Sequence, residues 1–140
     1  MSNKVIKECT FHHIALQTSD FDKSFKFYTE GLGFEVYRQW VSGTGKRIAL
    51  INIGTDQYFE IFSDGEPHTE NHKEAGNYIH LALRVEDSQA AYDRALQYGA
   101  TEMDKAPAHY SLPSEPPINV IISFVKGPDG EELEFFQPLS

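Results

Sequence analysis

Cysteine, basic charge and long apolar runs are all scarce in this sequence, and each scarcity excludes a class of protein. Cys9 is the only cysteine, so the chain has neither a disulfide framework nor a thiolate metal cluster, and a reducing cytoplasm is its expected location. The 12 basic residues against 21 acidic ones give a net charge of −9, which argues against nucleic-acid binding. No apolar run approaches the length of a membrane span, and residues 1–8 lack the apolar core of a secretion signal. We therefore expect neither a nucleic-acid partner nor a membrane.

A short apolar stretch interrupted by a histidine occurs twice. Residues 11–16 read FHHIAL and residues 78–83 read YIHLAL. In a β-strand successive side chains face opposite ways, so His13 and His80 point away from the face that carries each aliphatic pair. An internal repeat of this kind indicates a duplicated module, and it sets the prediction for the whole fold.

The repeat extends well past these two stretches. An aspartate follows each histidine by seven residues, Asp20 and Asp87, and each begins a segment with helical spacing that ends at glycine. Each copy then closes with a glutamate between apolar neighbours, Glu60 in YFEIF and Glu134 in LEFF. Two histidines and two carboxylates therefore occupy matching places in the two copies.

The length and composition fit one compact domain, residues 1–140, made of these two modules. The chain has 140 residues, of which 40% are hydrophobic and 13% aromatic. Each copy reads as a strand, a helix and three strands, over about residues 9–63 and 78–138, with a polar linker at 64–77. The expected strands are 9–18, 34–41, 46–53, 58–62, 78–85, 100–103, 119–125 and 133–137.

Residues 104–117 contain four prolines and are expected to form a long loop. The prolines favour a stiff lid that brings His109 and Tyr110 beside a site, and a plain surface excursion is an equal alternative. In the linker, His68 and His72 are expected to be solvated loop residues.

The histidines and glutamates of the repeat suit a metal ion. A lone strand histidine is more often a hydrogen-bonded core or surface group, and a lone glutamate can sit in solvent. Imidazole and carboxylate are nonetheless natural ligands of divalent transition ions, and four such groups on one inner face are costly unless paired or coordinated. The shared parity therefore favours a metal site whose candidate ligands are His13, Glu60, His80 and Glu134. His12 has the opposite parity and is expected to be a packing or surface residue.

Taken together, these motifs resemble the vicinal oxygen chelate superfamily, which contains glyoxalase I, methylmalonyl-CoA epimerase, extradiol dioxygenases, and fosfomycin and bleomycin resistance proteins. The resemblance covers residues 11–137 and rests on HIAL, SD, FY and LGF in the first copy, and on HLAL and PDG leading into LE in the second. It implies an α+β fold in which two βαβββ modules form a half-open, eight-stranded barrel around one divalent ion (Ni, Zn, Fe or Mn). The family ligand positions fall on the same four residues.

The resemblance also implies a function. The ligand set is similar to that of a glyoxalase-like lyase or isomerase, which acts on a small carbonyl-containing substrate by proton abstraction and a metal-stabilised enediolate. Glu134 is then the first candidate base and Glu60 the second. Glyoxalase I has an arginine four residues after its first ligand that grips glutathione, where this chain has Gln17, so glutathione adducts are not the expected substrate. The epimerase-like branch often has glutamine where this chain has Glu60.

Two further functions stay open. An iron(II) extradiol-type dioxygenase would use two histidines and one carboxylate, and the additional carboxylate of Glu60 makes that less natural. A metal-free, ligand-sequestering resistance protein shares the fold, and the four intact ligand positions speak against it. The expected partners are a small-molecule substrate and a second copy of the chain, with the barrel closing either within one chain or across the homodimer.

Overall fold

A computed structural model describes Val5 and residues 11–66 and 79–139 of the chain. Cys9 and most of the predicted linker, with His68 and His72, lie outside these residues. The described elements are β1 His13–Gln17, α1 Phe21–Lys26, a π-helical segment Phe27–Gly31, β2 Glu35–Val41, β3 Arg47–Gly54, β4 Gln57–Phe62, β5 Leu81–Arg84, α2 Ser88–Gln97, β6 Thr101–Glu102, β7 Ala108–Leu112, β8 Ile118–Lys126 and β9 Glu132–Pro138. Among them, no helix is both long enough and apolar enough to span a membrane.

The strands form two sheets with the same plan. The first has the order β1-β4-β3-β2, and the second has the order β5-β9-β8, with β6 and β7 both paired to β8. In each sheet the strand before the helix lies parallel to the last strand, and every other pair is antiparallel. This repeated topology confirms the predicted α+β fold with a duplicated module.

The second sheet departs from the prediction at residues 104–117. The predicted loop is wrong at its centre, because β7 runs through this segment and pairs with β8 over five residues. The prolines flank the strand instead of interrupting it, so each of its residues keeps a backbone N–H for the sheet. The strand carries His109 and Tyr110, the residues of the predicted lid. Because β6 and β7 pair with opposite ends of β8, the described chain has nine strands where the resemblance implied eight.

Both α-helices begin at the aspartates that the repeat predicts. The carboxylate of Asp20 accepts a hydrogen bond from the backbone N–H of Lys23, and that of Asp87 accepts one from Ala90. An aspartate at this position satisfies an N–H that has no partner within the helix. The caps fix where each helix leaves its sheet, and so which sheet face the helix covers.

The helices cover one face of each sheet and leave the opposite face open. Alternation along β1 and β5 places Ile14, Leu16, Leu81 and Leu83 against the core, with more exposed residues between them. The fully or largely buried core draws on both modules: Phe21, Phe27, Tyr28, Ala49, Ile51, Phe59, Ile61, Tyr92, Ala95, Val125, Leu133 and Phe135. Burial of this apolar surface is the main driving force for the fold, and it holds the modules together on their helical sides.

Polar contacts also join the two modules. The hydroxyl of Tyr28, which is fully buried, donates to Glu131 Oε2 at 2.8 Å, and the backbone N–H of Asp129 donates to Glu131 Oε1 at 2.9 Å. The backbone N–H and the hydroxyl of Ser19 both donate to the Asp129 carboxylate. Burial raises the pKa of Glu131, and the hydrogen bond from Tyr28 acts in the opposite direction. The turn before β9 is thereby tied to the first module.

The two modules are also in close contact where α2 packs against the π-helical segment. The guanidinium of Arg94 in α2 donates to the backbone carbonyl of Gly31, at the end of the π-helical segment, at 2.9 Å. A Cβ on Gly31 would lie 2.8 Å from the Cβ of Tyr98, so a larger residue there would force the segment away from α2. Glycine is therefore required at this position by the close approach.

Candidate metal centre

Each sheet places one histidine beside one glutamate on its open face. In the first sheet His13 Nε2 lies 3.6 Å from Glu60 Oε1, and in the second sheet His80 Nε2 lies 3.1 Å from Glu134 Oε2. The first histidine is the opening residue of β1, whereas β5 begins at Leu81, so His80 lies just before its strand. The structure thus forms two separate histidine–glutamate pairs from the four predicted residues.

Strand pairing explains how each pair arises. β1 runs parallel to β4 with Ala15 beside Glu60, and β5 runs parallel to β9 with Ala82 beside Glu134. The histidine is two residues before that alanine, on the same face of the sheet. Because alanine ends at Cβ, the space next to each carboxylate stays free of side-chain atoms from its neighbouring strand.

The two members of each pair differ in exposure. The glutamate side chains are 15% and 10% exposed, whereas the histidine side chains beside them are 43% and 31% exposed. A carboxylate largely removed from water needs a hydrogen-bond donor or a cation nearby. The imidazole in each pair therefore stands between a shielded carboxylate and the open side of the sheet.

The spacing within each pair suits two ligands of one divalent ion. Nitrogen and oxygen ligands at about 2.0–2.2 Å from a metal, at tetrahedral or octahedral angles, are roughly 2.8–3.6 Å apart. Both observed separations lie in that range. Among the described residues, however, no group of three or more His, Cys, Asp or Glu side chains is arranged to hold a metal. The structure does not bring the two pairs together in one chain, and the four-ligand assignment stays a prediction.

His12 contacts the first pair from its edge. Its Nδ1 lies 2.9 Å from His13 Nδ1, so one imidazole donates to the other through these atoms. Its ring packs on Tyr58 with centroids 5.1 Å apart. When His13 is the donor, its Nε2 is left unprotonated toward Glu60, the form that a metal ligand requires. The prediction of a packing or surface role for His12 omitted this orienting contact.

Sequence patterns did not predict the residues that surround the second pair. The ring of Phe124 lies 5.4 Å from the His80 ring, and Lys105 Nζ lies 4.8 Å above the Phe124 ring. Phe124 faces this site because it pairs with Glu134 across β8 and β9. Placing Phe124 in the site requires the register between β8 and β9, and the alternation of side chains along one strand does not give that register.

Aromatic residues also lie beside the first pair. Tyr58, two residues before Glu60, stacks on Tyr37 of the edge strand β2 with ring centroids 4.9 Å apart. Burial raises the pKa of the Tyr58 hydroxyl. The guanidinium of Arg38 lies 4.2 Å above the Tyr37 ring. This face therefore carries aromatic side chains next to the Glu60 carboxylate.

Comparisons with known proteins agree with the observed fold. A family model described as the Glyoxalase/Bleomycin resistance protein/Dioxygenase superfamily matches residues 10–135. A protein named lactoylglutathione lyase from Neisseria meningitidis is 26% identical over 131 residues, which cover 91% of this chain and 90% of that protein. A probable lactoylglutathione lyase from Synechocystis is 25% identical, with 91% and 95% covered. The crystal structure of a glyoxalase family protein from Enterococcus faecalis aligns with a TM-score of 0.71 at 26% identity, over 91% of this chain and 97% of that one. The chain belongs to the Glyoxalase/Bleomycin resistance protein/Dioxygenase superfamily, as the resemblance of its motifs predicted.

Proposed function

We propose that the protein is a metal-dependent, glyoxalase-like lyase or isomerase that acts on a small carbonyl-containing substrate. The observation that carries this proposal is the pair of histidine–glutamate clusters, each with a spacing suited to a divalent ion and each on an open sheet face. Superfamily membership and relatives named lactoylglutathione lyase support it. The cytoplasm is the proposed compartment, since a single cysteine provides no disulfide framework.

The proposed ion is held between two chains. One pair offers two protein ligands, which is fewer than the three or four of a catalytic or structural zinc site. β1 and β5 are the end strands of their sheets, so each has one edge without a strand partner among the described residues. A two-fold interface that sets β1 of one chain against β5 of the other covers both edges and produces two identical sites. Each site then combines one pair from each chain, and the homodimer binds one ion per chain.

The proposed chemistry is a proton transfer at carbon. The two pairs would hold a divalent ion, which would supply Lewis-acid chemistry that makes the hydrogen next to the substrate carbonyl more acidic. Glu134 is the proposed base, because its carboxylate is the more shielded of the two and Ala82 leaves room beside it for a substrate carbon. It takes the proton from one carbon and returns it to the same or the adjacent carbon. Glu60, in the matching place, is the second candidate base.

Glutathione adducts are not the proposed substrate, despite the names of the relatives. The side-chain amide of Gln17, where glyoxalase I has an arginine, lies within 3.3 Å of the Asp64 carbonyl and 3.5 Å of the Ser63 carbonyl. This amide donates hydrogen bonds to the protein's own backbone, and it has no positive charge that could pair with the carboxylate of glutathione.

Two measurements test the proposal. Metal analysis of protein purified without a histidine tag should find about one nickel, zinc, iron or manganese ion per chain. In deuterated solvent, the metal-loaded protein should catalyse exchange of the α-hydrogens of hydroxyacetone or of the methylglyoxal–mercaptoethanol hemithioacetal, followed by proton NMR. Oxygen consumption without exchange would replace this function with the iron(II) dioxygenase. Tight binding of small molecules by a protein that binds no metal would favour the sequestering function.

A further inference from the structure

Among the residues that the structure describes, Arg84 is the arginine whose side chain has no partner. The chain has four arginines. Arg38 lies over a tyrosine ring, Arg47 forms a 2.9 Å ion pair with an aspartate, and Arg94 donates to two backbone carbonyls. Within the described residues, the side chain of Arg84 makes no hydrogen bond and no ion pair, although acidic residues outnumber basic ones by 21 to 12. A guanidinium with no structural role, in so acidic a chain, is available for an anionic ligand.

The position of Arg84 directs it to the proposed site. It lies two residues after Ala82 on the same face of β5, about 6.6 Å further along the strand. Ala82 is the residue beside Glu134, so Arg84 follows the catalytic pair along one edge of the open face. A charged group on the same open face as the pair is placed to orient an anionic ligand bound there.

The duplicated module supplies an internal comparison. Arg84 follows His80 by four residues, as Gln17 follows His13, and each lies beside the phenylalanine two residues after the glutamate of its pair. The amide of Gln17 is used by backbone carbonyls at the end of β4, whereas Arg84 is uncommitted. The two faces therefore match in histidine, alanine, glutamate and phenylalanine, and differ at this position by one positive charge.

We propose that Arg84 binds the carboxylate of the substrate, and that the substrate is a small carbonyl compound with a carboxylate remote from its carbonyl. This inference rests on the proposed function, which brings a carbonyl to the neighbouring pair. The planar guanidinium donates two parallel hydrogen bonds to a carboxylate, which fixes orientation as well as affinity. The anionic end of the substrate then lies toward the second module, and the uncharged Gln17 end of the site receives the remainder.

Lys105 is another cation near the second pair, and it is a weaker candidate than Arg84. Its ammonium already lies over the Phe124 ring, at 4.8 Å from the centroid, which is a favourable cation–π contact. An ammonium also presents a point charge without the paired donors of a guanidinium. The two residues therefore provide matched variants for an experiment.

The test compares 4-oxopentanoate with its methyl ester, which has the same carbonyl and no charge. Dissociation constants are measured by ligand-observed NMR on the full chain, both metal-loaded and metal-free. The native protein should bind the acid about tenfold or more tightly than the ester, the usual effect of a charge-assisted hydrogen bond. Arg84→Gln, which copies the residue of the first module, should reduce this ratio to about one, and Arg84→Lys should keep part of it. Arg47→Gln and Lys105→Met should leave the ratio unchanged.

Several results would overturn the inference. They are failure of the native protein to bind the acid, equal binding of acid and ester, an unchanged ratio in Arg84→Gln, or a ratio lost in Lys105→Met alone. Arg84 is exposed and without partners among the described residues, so its variants should keep the native circular dichroism spectrum. An Arg84-dependent preference in protein that binds no metal and exchanges no α-hydrogen would refute the proposed function and leave this inference standing.

Discussion

Removing one hydroxyl group, in the variant Tyr28→Phe, should weaken the joint between the two modules. The aromatic ring stays, so its packing against Phe27 and Phe59, with centroids 5.0 and 4.5 Å away, is kept. What is lost is the 2.8 Å hydrogen bond to the partly buried carboxylate of Glu131, which retains the hydrogen bond from the backbone N–H of Asp129. Because a hydrogen bond to a charged group contributes about 1.5–3 kcal/mol, we expect a loss of about 2 kcal/mol in the free energy of unfolding. At this chain length that lowers Tm by about 4–8 °C.

The loss of unfolding free energy in Tyr28→Phe should depend on pH. Burial raises the pKa of Glu131 above its unfolded value, so this carboxyl favours the folded state at low pH, and that contribution is lost as pH rises through the folded pKa. The hydroxyl of Tyr28 donates a hydrogen bond to the ionised form of Glu131. This hydrogen bond lowers the pKa of Glu131 and offsets part of the stability that is lost when Glu131 ionises. The Tyr28→Phe penalty should therefore be largest at neutral pH, where Glu131 is ionised, and shrink as the solution is made acidic toward the carboxyl pKa.

Urea unfolding at fixed chain concentration measures both effects. The matched control is a double-mutant cycle with Glu131→Gln, in which the acceptor carries no charge. In that background Tyr28→Phe should cost less than about 1 kcal/mol, with little dependence on pH. A cost below about 0.5 kcal/mol at pH 7 in the native background, or an equal cost in both backgrounds, would refute the reasoning.

Three further predictions concern the site. His80→Ala should remove most bound metal and leave the fold intact, whereas His12→Ala should leave metal content nearly unchanged; metal lost from His12→Ala and kept by His13→Ala would show that the assigned ligand is wrong. Glu134→Gln should keep appreciable metal and lose about 10²–10⁴-fold in α-hydrogen exchange rate, and an unchanged rate would exclude Glu134 as the base. The methylglyoxal–glutathione hemithioacetal should turn over poorly because of Gln17, so a kcat/KM of about 10⁴ M⁻¹s⁻¹ or above in a spectrophotometric assay would contradict the proposed substrate class.

Sequence patterns predicted the structural features that depend on neighbouring residues and occur in both copies of the module. Alternation along a strand places His13 opposite to Ile14, and the duplicated pattern does the same for His80. The helix caps followed from Asp20 and Asp87, because capping depends on the residue and its immediate neighbours. Fold class and the two histidine–glutamate faces could be predicted because both depend on periodicity within short segments.

Contacts between distant segments could not be predicted in the same way. Proline content indicated a loop at residues 104–117, but pairing with β8 stabilises β7, whose prolines lie at its ends. The bond between Tyr28 and Glu131 joins residues 103 positions apart, and no local pattern marks it. Parity also shows which face a side chain occupies without showing whether two faces meet, so the separation of the two pairs was seen only in the structure.

Each metal site is proposed to combine a pair from each of two chains, and mixing two inactive variants tests this arrangement. His13→Ala and His80→Ala chains each lack the histidine of one pair, so every site of either homodimer has three of its four proposed ligands and should lose most of its metal. If the chains are unfolded and refolded together in equal amounts, about half of the dimers combine both variants, and each of these has one intact site made across the interface. The refolded mixture should regain about a quarter of an ion per chain, with α-hydrogen exchange restored in proportion. If the mixture binds no more metal than the separate variants, the proposed site between two chains is wrong.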